Sequence, residues 1–305
     1  MTNSKIVFSL QITTKNRLSD LKFTLDKIQY FFVRNDLECI VFDDGSTDET
    51  SVFIAENFPN IILLRNEVSK GLIYCRNQML NLTKAKYAIS LDDDAHFLSE
   101  NVLENIENYF VSNQKCGVIT CRIFWGLNPP NEIFANEKPE RSRSFVGCGH
   151  IWNMNAWIDV ADYPEWFVFY GEEDFAAFQL FKKKWEIHYL PEILVNHRVD
   201  VKSRKKNADY GIRLRRSLRS GWYLYFLFFP IQLIPRKLAF SVWMQLKLKV
   251  FKGDFKALKA ILLAMFDVLF SIPRIVKNAN RLSMKEYREY QKINETKIYW
   301  QPKIK

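Results

Sequence analysis

Residues 88–97 read AISLDDDAHF, and the apolar run from Tyr87 to Leu91 stops at three consecutive carboxylates, Asp92, Asp93 and Asp94. A short apolar run with polar edges reads as a buried strand. The carboxylates then sit where that strand leaves its sheet. Alternate residues of a strand share a face, so Asp92 and Asp94 point one way and Asp93 the other. Two hard oxygen ligands at a strand tip suit a divalent cation that also takes phosphate oxygens, Mn²⁺ or Mg²⁺. A solvated acidic turn is the simpler reading of an isolated DDD. A calcium EF-hand loop does not fit, because with Asp92 as its first position the required glycine falls on Phe97 and the closing glutamate on Leu103.

The rest of the first two-thirds supplies a frame for that strand. Lys5 to Ile12 is strand-like and ends in Thr13-Thr14-Lys15-Asn16-Arg17, after which Leu18, Leu21, Leu25 and Ile28 recur at helical spacing. Glu38 to Phe42 is a second strand and runs into Asp43-Asp44-Gly45-Ser46-Thr47-Asp48-Glu49. Gly45 supplies a turn, and the spacing of Ser46 and Glu49 predicts a capping box that starts a helix. Ile61 to Leu64 is a third strand, Gly71 to Leu82 a helix carrying Arg76 and Asn77, and a further helix runs from about Ser99 to Tyr109.

Val118 to Phe124 is another strand, and residues 126–144, with Pro129-Pro130, form a long loop of the kind that acts as a lid or binding loop. Phe145 to Trp157 reads as a strand whose Gly147 and Gly149 allow close approach of a ligand or backbone. Glu172, Glu173 and Asp174 open a helix after an aromatic run from Trp166, where the helix dipole alone already favours acids. Ile187 to Val195 is the last strand, closing at Asn196 and His197. Strands alternating with helices predict a mostly parallel α/β sheet, which binds ligands beyond the carboxyl ends of its strands. Thr13, Asp43, Asp44 and Asp92 to Asp94 all fall at such ends.

These pieces, in this order, resemble the family 2 glycosyltransferases, the inverting group with a GT-A fold, and most of all those that build bacterial cell-surface polysaccharides. The resemblance rests on TTKNR at 13–17, VFDDGSTDET at 41–50, NEVSKGLIYCRN at 66–77, LDDDAHF at 91–97, GEEDF at 171–175 and NH at 196–197, and it spans residues 5 to about 200. It implies a Rossmann-like catalytic domain over residues 1–200. Thr13, Arg17, Asp43, Asp44, Arg76, Asp92 and Asp93 would hold a nucleotide sugar, UDP- or dTDP-linked. Asp94 and Asp92, with His197, would hold Mn²⁺ or Mg²⁺. Asp174 would be the general base, with Glu173 as second choice, because many relatives read ED-x-D where this chain reads EED-F-A. A metal that neutralises a leaving diphosphate and one carboxylate opposite it suit a single displacement with inversion. Specificity for sugar and acceptor is expected in residues 126–144 and around Trp166 to Tyr170.

The charge is uneven. Residues 1–199 carry 20 Lys and Arg against 27 Asp and Glu, a net of −7, and residues 200–305 carry 24 against 7, a net of +17. The last third therefore meets something anionic. Lys202 to Arg219 holds eight basic residues and one acid, and the apolar stretches after it fall short of a spanning helix. Lysines beside Phe240 and Trp243 suit helices lying on an anionic membrane surface, while a helical appendage packed on the catalytic domain is the plainer reading. No nucleic-acid module is present, so no nucleic-acid partner is expected.

Five scattered cysteines and no secretory signal predict reduced thiols and a cytoplasmic protein, peripheral on the inner face of the membrane. The whole reads as a glycosyltransferase acting on a glycan or lipid-linked acceptor. The alternatives are a silent nucleotide-sugar or membrane-binding module, and a nucleotidyltransferase. The last would need a glycine-rich phosphate loop, and residues 5–20 contain no glycine.

Overall fold

The computed structural model describes residues 5–200 and 209–302. Lys202, Arg204, Lys205 and Lys206 of the basic run lie outside the described residues. Strand β1 (Phe8–Thr14) is paired in parallel on both sides, with β2 (Leu37–Asp43) and β4 (Tyr87–Asp92). Both faces of such a strand are covered: Phe8, Leu10 and Ile12 are buried on one face, and Ser9 and Gln11 on the other. The register sets Thr14 beside Asp43 and Thr13 beside Asp92, and β3 (Ile62–Arg65) sets Arg65 beside Asp43. The carboxyl ends of these strands thus form one edge, where the acidic turns emerge.

Beyond β4 the sheet becomes mixed. β8 (Gly149–Asn153) pairs antiparallel with β4 and with β6 (Cys116–Trp125), and β9 (Glu186–His197) runs parallel to β6. Two short strands, β5 (Ala95–Phe97) and β7 (Glu140–Ser142), pair antiparallel with β9. The β5 pairing places Ala95 opposite His197, which brings the last strand's end to the acidic triplet.

Helices cover both faces. Leu21, Leu25 and Ile28 of α1 (Leu18–Ile28) and Leu103, Ile106 and Phe110 of α4 (Val102–Ser112) share one apolar cluster with β1 and β4. The second cluster joins Trp152, α5 (Met154–Asp159) and α6 (Glu172–Lys182) to the C-terminal helices α7 (Tyr210–Phe228), α8 (Ile234–Leu248), α9 (Phe255–Phe270), α10 (Ile272–Asn278) and α11 (Met284–Gln291). Phe178 of α6 stacks on Phe228 of α7 with ring centres 4.9 Å apart. The basic last third is therefore helical and shares a core with the sheet.

Three local readings differ from expectation. The Ser46–Glu49 capping box does not form. Ser46 is claimed elsewhere, its Oγ accepting from the Asn16 amide and its amide donating to Asp43 Oδ1, so helix α2 (Thr50–Asn57) starts later. The strand expected over 145–157 is confined to β8, because the Asn153 side chain accepts from the Asn155 amide and turns the chain into α5. The helix expected from about residue 99 begins at Val102, and α3 (Leu72–Leu82) occupies the segment foreseen for it.

Candidate functional site

Two joined hollows open at the carboxyl edge of β1, β2 and β4. One, about 540 Å³, is lined by Thr13, Asp44, Lys70 and the Asp92–Asp94 triplet. The other, about 440 Å³, is lined by Arg76, Trp125, Gly147 and Glu173. Arg17, Asp92, Phe169, His197 and Arg216 line both. A separate hollow of about 400 Å³, between Lys115, Arg141 and Glu289, brings no comparable group of side chains together.

The triplet divides as expected, although β4 ends at Asp92, and Asp93 and Asp94 form the turn that leads into β5. Asp92, Asp94 and His197 converge, with one ligand atom from each lying within 4.8 Å of the others. His197 Nε2 stands 3.0 Å from Asp94 Oδ1 and 3.8 Å from Asp92 Oδ2. Burial opposes ionisation of Asp94, but His197 and Arg17 outweigh it and hold the carboxyl well below the usual carboxylate range. Asp93 turns the other way, accepting from the Thr14 hydroxyl at 2.8 Å and pairing with Arg17 at 3.1 Å. Its burial, with Asp94 and Asp92 adding and Arg17 and Thr14 opposing, pushes it up to about 7.

The converging trio fits a hard divalent cation. Asp94 Oδ1 is buried and receives no well-directed hydrogen bond among the described residues, although His197 Nε2 is near. Two carboxylate oxygens and an imidazole nitrogen are donors that Mn²⁺ or Mg²⁺ accepts. Arg17 would share Asp94 with such an ion, since its Nη2 lies 2.7 Å from Asp94 Oδ2.

Asp43 and Asp44 have separate duties. Asp43 is fully buried and absorbed by the turn, accepting from the Ser46 amide at 2.8 Å and from the Ser51 hydroxyl. Asp44 lines the first hollow and accepts from the Asn66 side chain, the Ser69 hydroxyl and the amides of Lys70 and Gly71 at 2.6–2.9 Å. Burial pushes the Asp44 carboxyl up, but these four donors prevail and its pKa is lowered. The turn that brings Asp44 there needs Gly45, whose φ is +75° and whose Cβ would sit 2.9 Å from the Ser69 nitrogen. The Thr13 hydroxyl, buried on the cleft wall, has no hydrogen-bond partner among the described residues.

Arg76 crosses the second hollow as a buried hub. Its guanidinium lies 2.9 Å from Asp92, 3.2 Å from Glu172 and 3.9 Å from Glu173, and donates to the Gly147 carbonyl at 2.8 Å. Burial disfavours its charge, and the three carboxylates more than compensate. Glu173 faces this hollow. Asp174, one residue on, is exposed and turned toward Ser144 and Arg143, and it lines neither hollow. Gly147 permits the Glu173 placement, because a Cβ there would lie 2.2 Å from Glu173 Oε1.

Some residues of the site carry no sequence signal of their own. Ser69, Lys70 and Gly71 lie within residues 66–77 and bind Asp44 through one hydroxyl and two amides. Trp125 sits edge-on to His197 with ring centres 5.3 Å apart. Arg213 and Arg216 of α7 reach the cleft from outside the motifs, and nothing in a run of eight basic residues singles them out. Of the two segments expected to carry specificity, Phe169 and Tyr170 line the second hollow, whereas no residue of 126–144 lines either one. Val168 and Tyr170 hold φ of +69° and +71°, a costly conformation for a β-branched and an aromatic residue. The segment is clamped from α7, where Arg219 donates to the Phe167 carbonyl at 2.6 Å and Ser220 to that of Phe169 at 3.3 Å.

Comparison with known proteins accords with this geometry. The family model described as Glycosyl transferase family 2 matches residues 9–169, over half of the 305 residues. No curated protein sequence matches the chain. Among solved structures it is similar to GalNAc-T7 with UDP, GalNAc and Mn²⁺, at 14% identity over 73% of this chain and 48% of that one, with a TM-score of 0.57. It is also similar to the mannosyltransferase PcManGT from Pyrobaculum calidifontis in complex with GDP-Man and Mn²⁺, at 15% identity over 94% of this chain and 79% of that one, with a TM-score of 0.56. A third is S. aureus TarS, at 16% identity over 72% and 40% of the two chains, with a TM-score of 0.53. The chain thus spans about half or less of the GalNAc-T7 and TarS chains. Likeness at these identities establishes the fold, GT-A. Taken with the match over residues 9–169, it means that the chain belongs to glycosyl transferase family 2.

Proposed function

We propose that the protein transfers a sugar from a UDP- or dTDP-linked donor to a hydroxyl of a glycan or lipid-linked acceptor, with inversion at the anomeric carbon. The observation that carries this reading is the convergence, in one cleft, of the Asp92/Asp94/His197 trio and the carboxylate of Glu173. Arg76 links the two, with Nη2 2.9 Å from Asp92 and Nη1 3.9 Å from Glu173.

Asp44 and Thr13, on the first hollow, bind the base and ribose through the carboxylate and the spare hydroxyl. Asp92, Asp94 and His197 would hold Mn²⁺ or Mg²⁺, which when bound neutralises charge on the departing diphosphate. Arg17 and Lys70 line the same hollow and add positive charge there. Glu173 takes the proton of the attacking hydroxyl. Burial first, then Glu172, pushes its pKa well above the usual carboxylate value against the pull of Arg76, and a raised pKa makes a stronger base. Glu173 is thereby preferred to Asp174, which faces away. Phe169 and Tyr170, held by α7, shape the acceptor side. Cell-surface polysaccharide assembly on the cytoplasmic side of a membrane is the setting that a lipid-linked acceptor suits.

The test is donor binding and hydrolysis across a panel of nucleotide sugars with Mn²⁺ or Mg²⁺, for the native chain and Asp94→Ala. Metal-dependent binding of one donor, lost in the variant, and a product of inverted anomeric configuration by NMR are expected. Failure of every donor with either metal overturns the reading.

A further inference from the structure

Helix α9 carries its bulk on the outside. The residues it buries are mostly small, Ala257, Ala260 and Ala264 with Ile261 and Val268. Its outward face carries Phe255, Phe266 and Phe270, which are 76%, 55% and 85% exposed, with Leu262, Met265 and Leu269 beside them. Helix α8 buries only Ile234 and leaves Phe240 and Trp243 in the open, and Phe251 in the connection is exposed as well. A helix that serves only to fold a water-soluble domain turns its large apolar stripe inward. Trp243 and Phe251 meet edge to face with ring centres 6.0 Å apart, and large apolar side chains left exposed together mark a place of association.

The charges say what associates there. Residues 230–280 hold nine Lys and Arg and only two acids, Asp254 and Asp267. Both acids are engaged inside the protein. Asp254 accepts from the Ala257 amide and the Tyr210 hydroxyl, and Asp267 pairs with Arg215 and Arg219 of α7. Lys247, Lys252, Lys256 and Lys259 are exposed among the aromatic residues. No helix among the described residues is long and apolar enough to cross a membrane.

We propose that α8 and α9 form a docking face for an anionic lipid bilayer. The helices lie in the plane of the headgroups, with the Phe and Trp rings at the acyl boundary and the lysines on lipid phosphates. A second copy of the chain is the poorer occupant, since a twofold contact would set the same lysines against each other. The inference deepens the transfer reading by giving a lipid-linked acceptor its surface, but it stands on different residues.

The experiment is co-sedimentation of the full chain with phosphatidylcholine vesicles and with vesicles that also contain phosphatidylglycerol. Binding to the anionic vesicles alone is expected, weakening as salt rises. The double variant Phe266→Glu/Phe270→Glu should bind at least tenfold more weakly. Lys256→Glu/Lys259→Glu should bind severalfold more weakly and with a flatter salt dependence. Both should keep the native unfolding temperature and native metal-dependent donor binding. The proposal is overturned if the native chain ignores anionic vesicles at low salt, if the Phe variant binds them like the native chain, or if the face is instead closed in a stable dimer that the Phe variant dissociates. Donor binding is measured on the same preparations, so docking and transfer can fail separately.

Discussion

In β1, β2 and β4 the large apolar residues point inward and the carboxylates of Asp43 and Asp92 stand at the strand tips, whereas in α9 the alanines point inward and the phenylalanines outward. The first arrangement removes apolar surface from water and leaves a polar rim whose every carboxylate is held by a named partner. The second leaves its apolar surface in water although the fold offers a core to put it in. The same contrast runs through the charge, −7 over residues 1–199 and +17 over residues 200–305. Surface placed inward stabilises the fold, and surface placed outward acts on a partner. Damage at the cleft should therefore cost chemistry, and damage on the outer face of α9 should cost only association.

Asp94→Ala should break the cleft most completely. It removes a proposed cation ligand and one counter-charge of Arg17 together, and metal-dependent turnover should fall on the order of 10³-fold or more, as for other groups that stabilise developing charge. Calorimetric titration with donor and Mn²⁺ reads the loss directly. Vesicle binding of the same variant should be unchanged. If it fell in parallel, the two regions would not be separable in the way the packing indicates.

Glu173→Gln should lower transfer by about 10²-fold, the lower end for loss of a general base, with the donor dissociation constant changed by no more than a few-fold. Asp174→Asn should leave both within about twofold, because that side chain faces Ser144 and Arg143. Steady-state kinetics on the pair decides which carboxylate takes the proton, and the reverse ranking would return the role to Asp174.

Asp267 is where the two regions touch, and its substitution tests how tightly. From the inner side of α9 it holds Arg215 at 2.5 Å and Arg219 at 3.7 Å, and Arg219 in turn holds the Phe167 carbonyl ahead of the strained Val168–Tyr170 segment. Asp267→Asn should cost about 1–2 kcal/mol of stability, less than a fully buried pair because Arg215 is partly in solvent. A several-fold rise in the acceptor KM with unaltered vesicle binding would show that α7 positions the cleft. An unchanged KM would confine the network to packing.

The two regions also differed in how much could be read from the chain alone. Short-range features were legible. The apolar run before Asp92 to Asp94, the turn at Gly45 and the acids at 172–174 each announce a strand end or a helix start, and the parallel order of β1, β2 and β4 follows from helices between strands. Long-range competition was not. Ser46 has the spacing of a cap but is taken by Asn16 and Asp43, 30 and 3 residues away in sequence. The resemblance puts Asp174 ahead of Glu173, and only the packing, with Arg76 and Gly147 around one and Ser144 and Arg143 around the other, sets Glu173 in the hollow and Asp174 outside it. Arg216 was one of eight basic residues in a run, and its place in the cleft depends on how α7 packs against α6. The outward turn of α9 was hidden as well, since alanine and phenylalanine count alike as apolar until the packing is known.

The smallest expected effect uses a composition difference between the regions. All four histidines lie within residues 1–199. Burial, with Arg76 adding to it, holds His150 down at about 3, and burial with Arg198 holds His96 down at about 4. Both are neutral in the folded protein, while in the unfolded chain each takes up a proton below its ordinary value of about 6.5. The stability they confer is thus fully present above that pH and is lost as pH falls from about 6.5 toward 4, at up to about 1.4 kcal/mol per pH unit for each. Asp93, raised to about 7, and Glu173, raised as well, act in the opposite sense over the same range, because the folded chain then holds protons that the unfolded chain has lost. The histidine contribution is therefore read as a difference: in denaturant titrations at a series of pH values, His150→Gln should lose less stability than the native chain between about pH 6.5 and 4, by up to about 1.4 kcal/mol per pH unit. An identical pH dependence in the two proteins would mean that His150 does not contribute to the acid sensitivity of the cleft region.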